Sequence, residues 1–328
     1  MRASSWTGQK PKGPMPSAQP RIGVVGATGA VGAVARSILR ERGYENVRLF
    51  ASASSAGIEL DGRVVEGATP ETLASSEVDF FLFAVGAAAS LELVPHAARS
   101  GAVCLDKSSA FRMDSGVPLV VPEVNGARAI EHEGVIAVPN CSTIQLVCAL
   151  KPLHDAAGLR GVRVATYQSA SGAGKQAMER LAAETPEQHE LRMDWDFDGV
   201  EFDEEVKLRE ETRKIMELPD LPVQATCVRV PVMVGHLEAV WVETEEPLTP
   251  EQARGLLERA PSVRVEDVPS PAQAAGIDDV LVGRIRSDPA VAHGLAFLVA
   301  CDNLRKGAAL NSIQIAELLV ARQPAAAA

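Results

Sequence analysis

One of the five cysteines in this chain has neighbours unlike those of the others. Cys104, Cys148, Cys227 and Cys301 each sit inside an apolar run, the setting of a small buried hydrophobe. Cys141 lies in Pro139-Asn140-Cys141-Ser142-Thr143, just after a short apolar segment, and Ser142 or Thr143 is placed to begin a helix that continues through Leu146, Val147 and Leu150. A thiol at a helix start meets the positive end of the helix dipole, which raises its thiolate fraction and suits it to nucleophilic work. The five are odd in number and spread out, with no Cys-x-x-Cys pair. Reduced thiols of a cytoplasmic protein are therefore expected, without a disulfide frame and without a metal site.

A second constellation lies near the start. Gly26-Ala27-Thr28-Gly29-Ala30-Val31-Gly32 follows a predicted strand and opens a predicted helix. Glycines at this spacing allow a tight turn, a close backbone approach to a pyrophosphate and close helix–strand packing, and the helix N-terminus supplies free N–H groups. Together these features point to a dinucleotide. An NAD-selective site places an acidic residue about 20 residues further on. Here Phe50-Ala51-Ser52-Ala53-Ser54-Ser55-Ala56-Gly57 has no carboxylate to repel a 2′-phosphate and several hydroxyls to bond one, which favours NADP; a plain polar loop is the alternative.

The elements that must position these residues alternate in the first half. Strand candidates at 21–25, 47–50, 78–85, 102–105 and 135–138 are interleaved with helical patterns, such as Val31, Val34, Ala35, Ile38 and Leu39. The run at 78–85 is apolar throughout, as expected of a strand buried on both faces. This is the pattern of a Rossmann-like, doubly wound parallel sheet. After residue 141, longer β-branched runs at 162–168, 223–234, 236–243, 263–267, 280–286 and 295–300 suggest a mixed or antiparallel sheet in an α+β domain. A final helix is expected from Leu304. The expected layout is a disordered leader over 1–20, a dinucleotide-binding domain over 21–140 completed by a helix over 303–323, and a second domain over 141–302. A chain of 328 residues suits two domains, and the alanines after Pro324 are expected to fray. The net charge of −11 argues against a nucleic-acid binder. No apolar run approaches the roughly 20 residues of a membrane helix, and residues 1–20 lack the apolar stretch of a secretory signal.

From about residue 21 to 323 the sequence resembles the aspartate-β-semialdehyde dehydrogenases. The resemblance is carried, in order, by 26–32, Ser108-Ser109-Ala110-Phe111-Arg112-Met113, 117–125, 139–145, Thr166-Tyr167-Gln168 with Ser171-Gly172-Ala173-Gly174, Glu211-Thr212-Arg213-Lys214-Ile215, 225–232 with Gly235-His236, Val282-Gly283-Arg284-Ile285-Arg286, and 302–317. It implies NADPH-dependent reduction of L-4-aspartyl phosphate to L-aspartate 4-semialdehyde with release of phosphate, on the route to lysine (through diaminopimelate), methionine, threonine and isoleucine. It implies that Cys141 forms a thioester, that His236 is the acid/base residue, that Gln168 orients the acyl intermediate and that Arg229 grips the substrate carboxylate. Glu204 would meet the substrate amine, and Arg112, Asn140 and Lys207 the phosphate. Gly26, Thr28, Gly29, Ala30, Val31, Ser54, Ser55, Ser171, Gly172 and Asn303 would contact NADP(H), with NAD(H) not excluded. A homodimer is implied, with a tetramer as the alternative. Without the resemblance, Glu204 and Lys207, three apart on one helical face, would suggest a solvated ion pair.

The chain departs from the family at four places. Ser54 replaces a usual Arg, Lys107 a usual Asn, and Gly86-Ala87-Ala88-Ala89-Ser90 a loop richer in glycine and serine. The stretch between Glu184 and Glu204 is short and lacks a Pro-rich approach. The alternatives are another acyl-phosphate reductase, such as an N-acetylglutamyl-phosphate reductase, and a non-catalytic paralogue.

Overall fold

A computed structural model describes residues 19–322. The leader expected over 1–20, apart from Gln19 and Pro20, and the terminal alanines lie outside the described residues. The chain divides into two compact units, one running to Pro139 and resuming at Ala308, the other spanning Asn140–Gly307.

The first unit contains β1 (Ile22–Val25), α1 (Ala30–Glu41), β2 (Val47–Ala51), β3 (Glu59–Leu60), β4 (Arg63–Gly67), α2 (Pro70–Ala74), β5 (Phe80–Phe83), α3 (Ala87–Ala98), β6 (Val103–Asp106), α4 (Pro122–Asn125) and β7 (Val135–Ala137). The strands form one sheet in the order β3-β4-β2-β1-β5-β6-β7. All pairs are parallel except β3 with β4. Strand β1 pairs on one side with β2 and on the other with β5, so the winding reverses at its C-terminal end, where open α/β sheets bind ligands. Strands β1, β5 and β6 are buried along their whole length, which accounts for their unbroken apolar runs. The run at 78–85 gives a strand of only Phe80–Phe83, because Asp79 turns to an ion pair with Arg21 at 3.0 Å. The β3–β4 hairpin was not among the sequence expectations, although its Asp61-Gly62 turn, with φ of 52° and 73°, is a recognised hairpin signal.

The second unit contains α5 (Cys141–Ala157), β8 (Leu159–Gln168), α6 (Lys175–Ala183), α7 (Asp203–Met216), β9 (Val223–Arg229), β10 (His236–Thr244), α8 (Pro250–Leu257), β11 (Val263–Glu266), α9 (Pro271–Ala274), β12 (Val280–Asp288) and β13 (Gly294–Cys301). Its sheet runs β11-β12-β13-β10-β8-β9. It is mixed: β8–β9 and β11–β12 are parallel, and the others antiparallel. Helix α5 packs on one face. Along β10 the buried residues His236, Glu238, Val240, Val242 and Thr244 alternate with the half-exposed Leu237, Ala239, Trp241 and Glu243, the period of a strand with one covered face.

Among the boundaries that differ from the sequence expectations, three flank the residues of interest. Helix α5 starts at Cys141 rather than at Ser142 or Thr143, because the Asn140 side chain accepts the Ser142 N–H at 2.8 Å and so caps the helix one residue earlier. Strand β9 stops at Arg229 instead of reaching 234, since Pro231 lacks an N–H and Val232 O turns to the Ala170 N–H at 2.8 Å. The last helix, α10 (Leu310–Ala321), begins six residues after Leu304. Before it the chain makes a wide π-type turn over Arg305–Ala309, and Asp302 Oδ1 accepts the N–H groups of Leu304 and Arg305, both at 2.9 Å.

Candidate active site

The N-cap geometry that starts α5 holds Cys141 at its first turn, while β10 begins at His236. Their side chains meet: Cys141 Sγ lies 3.3 Å from His236 Nε2. The other ring nitrogen, Nδ1, accepts the backbone N–H of Ser169 at 3.1 Å. A backbone N–H can only donate, so in the neutral ring the proton sits on Nε2 and points at the sulfur. Ser169 Oγ, also 3.1 Å from Nδ1, is the acceptor available when the ring takes a second proton. Cys141 is 8 % and His236 0 % exposed, so the pair works in a nearly dry setting.

The parallel register of β8 and β9 sets Gln168 beside Arg229 at the strand ends. Arg229 Nη1 donates to Ser169 O at 3.1 Å and approaches Gln168 Oε1 at 3.4 Å. Glu204, in the first turn of α7, accepts from Asn140 Nδ2 at 2.9 Å and from Gln168 Nε2 at 3.0 Å. It is buried, unlike one half of a solvated ion pair, although Lys207 reaches it at 3.5 Å and Asp203 at 2.6 Å. A Cβ at Gly172 would lie 2.9 Å from Arg229 Nη1 and 3.0–3.1 Å from the His236 ring, so only glycine fits between them. Asn303 Oδ1 accepts from Ser169 Oγ, Ser171 Oγ and Gly235 N at 3.0–3.1 Å. Its Nδ2 is buried without a partner, a donor free for a bound group.

Ten of the sequence-derived residues thus fall in one bonded cluster within 140–307: Asn140, Cys141, Gln168, Ser171, Gly172, Glu204, Lys207, Arg229, His236 and Asn303. The others belong to the first unit. Gly26 has φ +86°, and its carbonyl accepts Gly29 N–H at 3.0 Å in the turn that also carries Thr28 and leads through Ala30 and Val31 into α1. The N-cap Gly29 offers no side-chain cap and the first turn of α1 holds no acidic residue, so its N–H groups suit a phosphate. Ser54 and Ser55 lie in a short turn after β2, with Ser54 Oγ 2.9 Å from Ser52 Oγ. Arg112 is buried, donating to Val138 O at 3.0 Å and Lys107 O at 2.6 Å.

Several participants escaped the sequence reading. Ser169 sets the tautomer of His236. Glu211 accepts the Asn140 backbone N–H at 2.6 Å and so fixes the entry to α5. Gly307 packs against Cys141: a Cβ there would sit 2.9 Å from Cys141 Cβ. The signals existed, since Ser169 adjoins Gln168 and both Glu211 and Gly307 stand in segments that carried the resemblance, but no role followed from sequence alone. Among the described residues, no group of three or more His, Cys, Asp or Glu is placed to hold a metal, and no helix is long and apolar enough to cross a membrane.

One turn along α5 from Cys141 stands Gln145, and two residues along β10 from His236 stands Glu238, both fully buried. Burial pushes the Glu238 carboxyl well above the usual carboxylate range. The Gln145 amide is near enough to oppose this, yet neither carboxyl oxygen has a partner of ordinary hydrogen-bond geometry. The folded protein therefore keeps a proton that the unfolded chain, with an ordinary Glu near ~4.3, releases. This contribution to stability is full at acid pH and is lost as pH rises, by about 1.4 kcal/mol per unit while only the folded form stays protonated. Urea titrations from pH 5 to 8 should show wild type losing stability relative to Glu238→Gln as pH rises; a pH-independent difference would mean that Glu238 is ionised in the fold.

The family model described as "Semialdehyde dehydrogenase, NAD binding domain" matches residues 21–132, and "Semialdehyde dehydrogenase, dimerisation domain" matches 150–198 and 194–306. An aspartate-semialdehyde dehydrogenase from Streptomyces akiyoshiensis is 45 % identical over 336 residues, covering 92 % of this chain and 98 % of the relative. One from Bacillus subtilis (strain 168) is 43 % identical, covering 91 % and 96 %. The crystal structure of aspartate semialdehyde dehydrogenase II from Vibrio cholerae, complexed with ASA, superposes with a TM-score of 0.87 at 40 % identity, over 93 % of this chain and 99 % of that one.

Proposed function

This chain belongs to the aspartate-semialdehyde dehydrogenase family, and from that premise we propose that it reduces L-4-aspartyl phosphate to L-aspartate 4-semialdehyde with NADPH, releasing phosphate, through a thioester on Cys141. The observation that carries the mechanism is the 3.3 Å contact between Cys141 Sγ and a His236 ring whose Nε2–H faces the sulfur.

Attack of the Cys141 thiolate on the acyl carbon forms the C–S bond and breaks the bond to phosphate, so one difficult displacement becomes two easier steps. The nicotinamide cofactor, when bound, supplies the hydride that reduces the thioester carbonyl. As an imidazolium, with its second proton on Nδ1 facing Ser169 Oγ, His236 gives the Nε2 proton to the carbonyl oxygen and takes it back as the C–S bond breaks, returning a thiolate that accepts a hydrogen bond from Nε2. Arg229 holds the substrate carboxylate with its planar guanidinium, and the buried Glu204 takes the α-ammonium group. Gln168, bonded to Glu204 and beside Arg229, keeps the acyl group aligned. Asn140, Lys207 and Arg112 are the phosphate-binding candidates.

The turn at Gly26 with the uncapped start of α1 fits the pyrophosphate of a dinucleotide. Preference for NADP over NAD rests on the absence of a carboxylate between Phe50 and Gly57 and on the hydroxyls of Ser52, Ser54 and Ser55. The product would serve lysine, methionine, threonine and isoleucine synthesis in the cytoplasm. A homodimer is the working assembly, in keeping with the dimerisation-domain match.

The test is phosphate-dependent oxidation of L-aspartate 4-semialdehyde, followed as reduced cofactor with NADP and with NAD. Turnover with NADP exceeding that with NAD is expected. Equal use of both would overturn the cofactor assignment alone. No turnover with either, in folded protein that binds nucleotide, would overturn the reaction.

A further inference from the structure

The segment between Glu184 and Glu204 seats two side chains on Arg229. Arg192 pairs with Arg229 through reciprocal backbone hydrogen bonds of 3.0 and 2.7 Å, adding a short antiparallel bridge at the end of β9. Arg192 is itself anchored to Glu184 at 2.8 Å and Glu190 at 3.1 Å. Two residues on, Asp194 Oδ1 accepts from Arg229 Nε at 3.2 Å, and the guanidinium carbon of Arg229 lies 4.5 Å from the centre of the Trp195 ring. The Arg229 side chain is 7 % exposed and that of Asp194 is 29 %, so the aspartate closes the outer edge of a buried cation.

We propose that Asp194 is a specificity-determining residue, selecting substrates that carry an ammonium group beside the carboxylate. The inference rests on Arg229 as the carboxylate-binding residue proposed above. Its geometry is explicit. Asp194 takes Nε, while Ser169 O and Gln168 Oε1 take Nη1; among the described residues no hydrogen bond engages Nη2. The Trp195 ring covers one face of the guanidinium plane, so the substrate carboxylate is left the Nη2 side. The electrostatics follow. Around the two cations Arg229 and Lys207 stand three carboxylates, Asp194, Glu204 and Asp203. A ligand that brings only a negative charge meets a surplus of like charge at short range, whereas a zwitterionic amino-acid head group brings its own cation and does not. Asp194 thereby denies Arg229 to simple acids that lack the amine.

The discriminating pair is L-aspartate 4-semialdehyde and 4-oxobutanoate, the same aldehyde acid without the amino group. Phosphate-dependent kcat/KM is measured for both in wild type, Asp194→Asn and Asp194→Glu. Asparagine keeps the shape and removes the charge, and should cut the preference for the amino substrate about tenfold. It should do so chiefly by improving use of 4-oxobutanoate; glutamate should restore the preference. An unchanged ratio in Asp194→Asn, including failure of that variant to gain any activity on an analogue that wild type ignores, overturns the proposal. So does a KM that rises equally for both substrates, which would make Asp194 only a support for Arg229. Inactivity of wild type on L-aspartate 4-semialdehyde overturns the assigned reaction, and this inference with it.

Discussion

Cys141→Ala should lower turnover by about ten-thousand-fold or more, while the affinity for nicotinamide cofactor changes little. The side chain removed is the only proposed covalent partner of the acyl group, and Cys104, Cys148, Cys227 and Cys301 are all buried with no assigned part in the chemistry. Burial pushes the thiols of Cys104, Cys227 and Cys301 upward, away from the reactive thiolate. Loss of Sγ leaves a small void and an Nε2–H without its acceptor, a local penalty of about 1–3 kcal/mol that a two-unit fold tolerates. Of the residues proposed to contact the cofactor, Gly26, Thr28, Gly29, Ala30, Val31, Ser54 and Ser55 belong to the first unit and its own hydrogen bonds, and Ser171, Gly172 and Asn303 to the second. Steady-state assays with a nucleotide titration check both halves. Turnover near wild type would refute the nucleophile, and lost nucleotide binding would show that the substitution acts through the fold.

His236→Gln should reduce kcat by about a hundred- to ten-thousand-fold, the range associated with a positioned general acid/base. It should also slow alkylation of Cys141 by iodoacetamide. The two effects have separate causes. Proton transfer to the carbonyl oxygen is lost because an amide has no titrating nitrogen near neutrality. The thiolate is less favoured because the Nε2–H at 3.3 Å is gone or displaced. Glutamine retains an oxygen able to accept the Ser169 N–H, which makes it a milder structural change than alanine. Rapid mixing with L-aspartate 4-semialdehyde and NADP, but without phosphate, reads the hydride step directly and should show a slowed burst of reduced cofactor. A full-rate burst would move the acid/base role elsewhere.

The place of Cys141 at a helix start, the glycine-rich turn and the two-part architecture were legible in the sequence because each depends on local order: a cysteine with polar neighbours, glycines at fixed spacing, and apolar runs whose period changes midway. Cys141 and His236 are 95 residues apart, and their meeting was available only through family likeness, since the pairing of β8, β10 and α5 brings them together. Ser169 directly follows Gln168, but nothing in the sequence tells that its backbone N–H decides where the histidine proton sits. Spacing alone, without the family likeness, would make Glu204 half of a surface ion pair, because helical spacing says nothing about what covers a face; Asn140 and Gln168 cover it. The short stretch before Glu204 was visible as a departure, but its contact with Arg229 was not, because it arises from backbone pairing of Arg192 with a distant strand end.

The wide turn before the last helix has a consequence for inhibitor chemistry. With Gly307 backbone packed so closely on the carbon that carries the thiol, an electrophilic warhead meets a wall on that side of the sulfur, and branching there adds clash without contact. The other polar side chains of the cluster, His236, Arg229 and Glu204, are the groups that the rest of the inhibitor would address. A selective covalent inhibitor of this enzyme would therefore need a slim reactive head on a compact zwitterionic body.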